Sequence, residues 1–417
     1  MQLTPGVLDC TTARRADVGR LRPAGSSPTA YLRVALRAGN GATHIYRVKS
    51  CTSRKHAAEE RLAGALFALT GLRTPPVRLA DHCSQWVDGT QIPDKVYLAS
   101  EWVESFEDLG HWLTGPHARA AIVRAFPDAS ENYDTLCAIA LAAEHHMQQC
   151  CGGRPFWQLA GDAAARHRAA HARRFAALEA LNRLLPVAYR NEQERHYLAS
   201  LWIGNWDPLN CHMENFGYCA DATGAPRGMT LDFGAALQMG FQGQLKEDNF
   251  EVVVSQRAQL RSLAPIEQHF ARADAAFGPS LPSGPLAGPG VLPYGRQLET
   301  CVERLRAVDP DRDVATLADS GSALSISVEM AYRLQRISDS AIAAVVADCR
   351  ADPAPDDTLA WRREDEVAAL MIARREDCVR RLGHGWVKRW ATLHAARARA
   401  IALRQDRLLE DAMRCPS

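Results

Sequence analysis

Leu231-Asp232-Phe233-Gly234 closes a short β-compatible run that begins at Met229, and its reading decides the fold. A second run, Phe216 to Cys219, precedes it, and the turn residues Asp221 to Gly228 lie between them, which is a hairpin signal. An aspartate at a strand end before a glycine is often no more than a strand terminus with its turn. The alternative is a ligand for a hard cation, because Mg²⁺ takes oxygen donors and is held by one or two carboxylates rather than by an all-protein cage. Asn215, just ahead of the first run, offers a second hard oxygen within a hairpin's length of Asp232.

Upstream, Gly204-Asn205-Trp206-Asp207-Pro208-Leu209-Asn210-Cys211-His212-Met213-Glu214-Asn215-Phe216-Gly217 packs Asp, several Asn and His into one loop between a helix and a strand. A general base and a metal ligand can both face one cleft from such a loop, although Asp207 before Pro208 also has the makings of an Asx-turn. Lys49 supplies a third element. It ends the alternating strand His44 to Val48, and one ammonium suffices to hold nucleotide phosphates if a carboxylate on the next helix orients it. Glu59 and Glu60 are both placed for that role. The chain has only five lysines among its 49 basic residues, which makes one at this position conspicuous.

Around Lys49 the N-terminal texture is five strands with one helix. Tyr31 to Leu36 and His44 to Val48 flank Gly39-Asn40-Gly41, an earlier strand falls at Val18 to Leu21, and Val77 to Leu79 and Val96 to Ser100 follow. Ser53 is an N-cap for a helix that Gly71 stops. From His117 to Leu201 the pattern is helical. Gly278 to Gly295 holds five glycines and five prolines, too many breakers for helix or strand. Beyond it, Gln297 to Val308, Ala323 to Cys349 and Arg362 to Met413 carry helical spacing.

With 417 residues, 47% hydrophobic and 23% charged, the chain has enough apolar mass for two or three lobes, and disorder is excluded. A formal charge of +1 gives no global field for nucleic acid or an anionic membrane. The N-terminal residues lack a signal-peptide pattern, and no stretch approaches a membrane span. The twelve cysteines are scattered without a C-x-x-C pair, so free thiols in a reducing compartment fit best. Glu144-His145-His146 with Cys150-Cys151 is a poor metal set, since neighbours on a helix point about 100° apart.

The order of these motifs resembles the protein-kinase-like superfamily in its atypical branches, the HipA-type kinases, the actin-fragmin kinase group and, more distantly, the phosphoinositide lipid kinases. The resemblance runs from about Val18 to Gly240. It implies an α+β, bilobal fold: a small antiparallel-sheet N-lobe with one helix over residues 1–104, and a mainly helical C-lobe over 105–277 carrying the catalytic and metal loops. A linker or loop over 278–295 and a helical region over 296–417, completing or appended to the C-lobe, would follow. Gly25-Ser26-Ser27 looks like the phosphate-covering loop, Lys49 like the phosphate lysine and Glu59 or Glu60 like its partner. Glu101-Trp102-Val103 resembles the hinge whose backbone receives adenine. Asp207 to Asn215, with Asn210 and His212 inside it, resembles the catalytic loop, and Asn215 and Asp232 the metal ligands.

The implied cofactors are ATP and Mg²⁺, and the implied activity is phosphotransfer, with a protein hydroxyl as the expected acceptor. A nucleotide and a protein substrate are then the expected partners, without nucleic acid or a membrane span. The expected location is cytoplasmic, or the host cytosol for a secreted bacterial effector. The sequence also departs from the family pattern. The position five before Asn215 is Asn210, while Asp207 stands eight before it. Either Asp207 is the base in a lengthened loop or the base is lost, which keeps a pseudokinase binding module, or transfer of AMP on the same fold, as alternatives.

Overall fold

The computed structural model describes residues 8–9, 14–15, 31–37, 43–51, 53–81, 97–103, 105–154, 156–205, 213–220, 226–237, 323–350 and 364–382. Several expectations lie outside the described residues: the strand at Val18 to Leu21, Gly25-Ser26-Ser27, Asp207, Asn210 and His212, the segment 278–295, and the helical pattern Gln297 to Val308.

The architecture is α+β, with two small sheets and a mostly helical remainder, consistent with the expected bilobal fold. The first sheet has six strands in the order β1-β5-β6-β4-β3-β2 and is antiparallel apart from the β1–β5 pair. These are β1 (Leu8–Asp9), β2 (Arg14–Arg15), β3 (Tyr31–Arg37), β4 (Thr43–Ser50), β5 (Val77–Asp81) and β6 (Tyr97–Glu101). The expectation was five strands. Four of the five correspond to β3, β4, β5 and β6, the fifth, Val18 to Leu21, lies outside the described residues, and β1 and β2 are two residues long, too short to show any alternation.

Helix α1 (Arg54–Ala68) leaves β4 as expected: the Ser53 side chain accepts from the His56 amide at 3.0 Å, and Gly71 takes φ 75° just beyond the end. Its apolar residues Leu62, Leu66 and Phe67 are buried in one core with Phe233, the Phe67 and Phe233 ring centroids 5.2 Å apart.

After the first sheet the chain makes β7 (Phe106–Asp108), which pairs with β8 (Phe216–Ala220). That strand pairs in turn with β9 (Pro226–Thr230), so the second hairpin sits beside β7 rather than alone. Gly217 is required here, because a Cβ would run into the Glu107 carbonyl oxygen and approach the Asp108 Cα to 2.7 Å. Asp108 then caps α2 (Leu109–Leu113), its carboxylate accepting from the His111 amide. Helices α3 (Pro116–Ala125), α4 (Ser130–Cys151), α5 (Gly161–Leu184) and α6 (Val187–Trp202) follow.

The C-terminal helices are α7 (Ala323–Gln335), α8 (Asp339–Arg350) and α9 (Glu364–Leu382). The run Ala323 to Cys349, read as one helical pattern, is broken at Ser338, whose hydroxyl accepts from the Ala341 amide and starts a new helix. Arg375 of α9 fixes the break by donating to the Ile337 carbonyl and pairing with Asp339 at 2.7 Å.

These helices share one hydrophobic core with α1 and α6, in which Met330, Leu334, Val346 and Met371 join Leu62, Leu198 and Trp202. Arg374 of α9 donates 2.7 Å hydrogen bonds to the Leu201 and Trp202 carbonyls in the last turn of α6. The last helix thus caps the one that leads into the loop from Gly204. No described helix is long and apolar enough to cross a membrane.

Candidate active site

Three elements meet at Lys49. Strand β4 delivers its ammonium, α1 delivers Glu60, and the segment after β9 delivers Asp232. Lys49 Nζ lies 2.6 Å from Glu60 Oε1 and 3.1 Å from both carboxylate oxygens of Asp232. These residues are far apart in sequence, so the fold itself assembles the cluster. The two candidate partners on α1 are resolved by geometry: Glu60 reaches the lysine, while Glu59 is buried at the neighbouring position of the helix.

Burial pushes the Glu60 carboxyl up to about 7, against the pull of Lys49. Its second oxygen, Oε2, is buried without a hydrogen-bond partner among the described residues. Burial acts the same way on Asp232, but Lys49, Arg47 and the Gly234 amide outweigh it and hold that carboxyl at about 2. Asp232 therefore stays ionised at neutral pH, the state in which a carboxylate binds a hard cation.

The segment around Asp232 is tied down on several sides. The Gly234 amide donates to Asp232 Oδ1 at 2.8 Å, and the Asn205 side-chain amide donates to the Asp232 carbonyl at 3.1 Å. His56 Nε2 donates to the Gly234 carbonyl at 2.9 Å, so α1 holds the segment at His56 and, through Lys49, at Glu60. The Leu231 amide donates to the Asn215 carbonyl at 2.9 Å, which brings Asn215 beside the start of the segment. Leu237, held at φ 51°, donates to the Ile203 carbonyl at 2.8 Å. A non-glycine residue in that region costs about 1–3 kcal/mol and persists only where its surroundings fix it.

The expected hinge lies at the end of β6. The Trp102 amide donates to the Ile45 carbonyl at 2.8 Å and the Glu101 amide to the Pro76 carbonyl at 3.3 Å, while the exposed Glu101 side chain stands 3.6 Å from His44. Val103 follows, its carbonyl accepting from the Phe106 amide. Lys49, Glu60 and Asp232 thus form one charged cluster with Asn215 beside it, and the end of β6 is bonded to β4, the strand that carries Lys49.

Sequence reasoning passed over four residues of this site. Asn205 and His56 act on backbone carbonyls of a distant segment, which no local pattern reveals. Glu214 is driven up to about 7 by burial and by Asp108, despite Arg174 and Arg47. Arg47 carries a signal that alternation could have given, since it lies two residues before Lys49 on the same strand face. No group of three or more His, Cys, Asp and Glu suited to a metal occurs among the described residues, and Glu144 is paired with Arg174 at 3.4 Å.

No family model and no curated protein matches the chain. Among solved structures, the crystal structure of a Helicobacter pylori proinflammatory kinase, CtkA, aligns at 12% sequence identity over 92% of this chain and 99% of that one, with a TM-score of 0.42.

Proposed function

We propose that the chain is an ATP- and Mg²⁺-dependent phosphotransferase acting on protein hydroxyls. The observation that carries this reading is the Lys49 ammonium bridging Glu60 and Asp232 from three separate elements. A lysine held between a buried carboxylate and an ionised one is oriented for polyanion oxygens, and little else explains placing one of five lysines there.

The donor chemistry fits the cation. Asp232 offers an ionised carboxylate and Asn215 an amide oxygen, both hard ligands, and no softer side chain is needed. When bound, Mg²⁺ would neutralise charge on the transferring phosphate. The chain's own residues do the rest: Glu60 orients Lys49, Lys49 grips phosphate oxygens, the hinge backbone receives the base, and Asp207 takes the proton of the attacking hydroxyl. A protein acceptor is proposed because residues 296–417 extend well past the last of these residues, more chain than closing a nucleotide cleft requires.

The test uses ATP labelled at the γ-phosphate and, separately, at the α-phosphate, with Mg²⁺ and candidate proteins, the chain itself included. Transfer of γ-label is expected. Transfer of α-label would establish AMP transfer instead, and no transfer with intact ATP binding would leave a binding module.

A metal prediction follows from Asp232. Replacing it with Asn leaves the shape but removes the charge, and a neutral amide is a much poorer ligand for a hard cation. ATP with Mg²⁺ is expected to raise the thermal unfolding midpoint of the parent and to leave that of Asp232→Asn nearly unmoved. An equal rise in both would remove Asp232 from the metal site.

A further inference from the structure

Strand β4 has two chemically distinct faces. Tyr46 and Val48 are buried on one, and Ile45, Arg47 and Lys49 are half-buried on the other, as period-two alternation requires. The second face is the one from which Lys49 reaches Glu60 and Asp232. Along it the strand runs from the hinge towards the acidic end: Ile45 is bonded to Trp102, Arg47 pairs with Ser100 in register, and Lys49 pairs with Leu98. Arg47 therefore starts one side-chain period, roughly 6.6 Å, behind Lys49 on the hinge side.

The charge of Arg47 bears on Glu60 of α1, on Asp232 after β9 and on Glu214 before β8. Arg47 shares with Lys49 the strand face that turns towards Glu60 and Asp232, which places it on the same side of the sheet as that cluster. The single charge of Lys49 already faces two carboxyl groups, and the proposed Mg²⁺ would serve the transferring phosphate, which leaves the phosphate nearer the hinge without a cation of its own. A nucleotide polyphosphate entering there meets more carboxylate than ammonium unless another cation contributes.

We propose that Arg47 is a second phosphate-binding cation of the nucleotide site, holding the phosphate nearest the ribose while Lys49 holds those beyond it. The proposal rests on the reading of the cleft as a nucleotide site and adds the residue that distinguishes phosphorylated nucleotides from nucleosides. The chemistry suits the position, since a guanidinium presents two parallel N–H donors that match two oxygens of one phosphate, and a lysine offers only a point charge.

The experiment is calorimetric titration of the full chain with ATP, ADP, AMP and adenosine, for the parent, Arg47→Ala, Arg47→Gln and Arg47→Lys. Arg47→Ala is expected to weaken ATP, ADP and AMP alike by about tenfold to a hundredfold, the range of a lost charged hydrogen bond, and to leave adenosine unchanged. Arg47→Lys should recover part of the loss. Arg47→Gln keeps most of the length without the charge and carries the comparison if the alanine variant does not fold. Its ATP-to-adenosine affinity ratio should fall, which a merely structural role would not cause.

Equal losses for adenosine and ATP, or no loss for either, would overturn the assignment. If Lys49→Ala weakens ATP while the Arg47 variants do not, the Arg47 proposal fails and the nucleotide site stands. If the parent binds none of the four ligands, both fail together.

Discussion

Glu329→Ala is expected to cost about 3–5 kcal/mol of folding stability, the range for removing one partner of a buried ion pair. Glu329 has no exposed side-chain surface and accepts from Arg195 Nε and Nη2 and from Arg333 Nε, each at 3.0 Å. The two arginines are themselves only 7% and 2% exposed. Removing the carboxylate takes the shared partner from two nearly buried guanidinium groups, although Arg195 keeps Glu192 at 2.7 Å and Arg333 the Thr70 carbonyl.

The exposed pair Arg119–Asp134 makes the contrast. Its geometry is as good, at 2.8 Å and 2.9 Å, yet both side chains are about half exposed and screened by water, so Arg119→Ala is expected to cost far less than Glu329→Ala. Urea unfolding of the three proteins, compared at equal m-values, reads the difference. Similar losses for the two variants would mean that the triad is solvated in solution and that the helices bearing it are less firmly docked.

The position of the triad explains why its loss should reach the site. Arg195 is on α6, the helix that ends just before Asn205, and Glu329 and Arg333 are on α7. Arg333 also donates to the Thr70 carbonyl at the end of α1. Arg61 of α1 pairs with Asp348 of α8, one residue along from the glutamate that holds Lys49. The C-terminal helices therefore grip both the helix that orients the lysine and the helix that leads into the loop from Gly204. A loosened triad should weaken ATP binding as well as stability, without any change in a residue lining the cleft.

What the sequence made legible was local. The hairpins at Tyr31–Ser50 and Phe216–Thr230 are alternating runs around turn residues, and the cap at Ser53 is a hydroxyl at the start of a helical pattern. The order of Lys49, the acidic pair, Asn215 and Asp232 was also readable, and the geometry brings Lys49, Glu60 and Asp232 into contact and Asn215 beside them.

What escaped was tertiary or too short to have a period. The two-residue strands β1 and β2 carry no pattern, and β7 exists because a neighbour, β8, pairs with it. The choice between Glu59 and Glu60 depends on how α1 rolls against β4, which adjacent residues on a helix cannot reveal. His56 meets Gly234 across 178 positions and Asn205 meets Asp232 across 27, through backbone groups that every residue possesses. Arg47 was the one readable omission, because a strand that points Lys49 into a cleft points the residue two before it there as well.

Asp207→Asn is expected to lower phosphotransfer turnover by about 10²–10⁴-fold while leaving ATP affinity nearly intact, and Asn210→Asp to change little. Both residues lie in the stretch between Asn205 and Met213. Asn205, on one side, holds the Asp232 carbonyl, and Met213, on the other, sits at φ 57° with its carbonyl accepting from the Gly110 amide at 3.1 Å. The next residues, Glu214 and Asn215, lead directly to β8 and to the hydrogen bond with Leu231. Asn205 and Asn215, one on each side of that stretch, are thus both bonded to the segment that carries Asp232.

Of the two residues at issue, only a carboxylate can accept the proton of an attacking hydroxyl, so under the proposed reading the base is Asp207, and if Asp207 is not the base, the base is lost. The pair of substitutions separates the alternatives because each predicts a different asymmetry. An inactive parent that gains γ-phosphate transfer on Asn210→Asp has its base position at 210, and the natural chain is then a nucleotide-binding module rather than a kinase. A parent whose measurable transfer survives both substitutions takes its base from outside the segment. The grip of Lys49, Glu60 and Asp232 on nucleotide would still stand, but the resemblance of Asp207 to Asn215 to a catalytic loop would not.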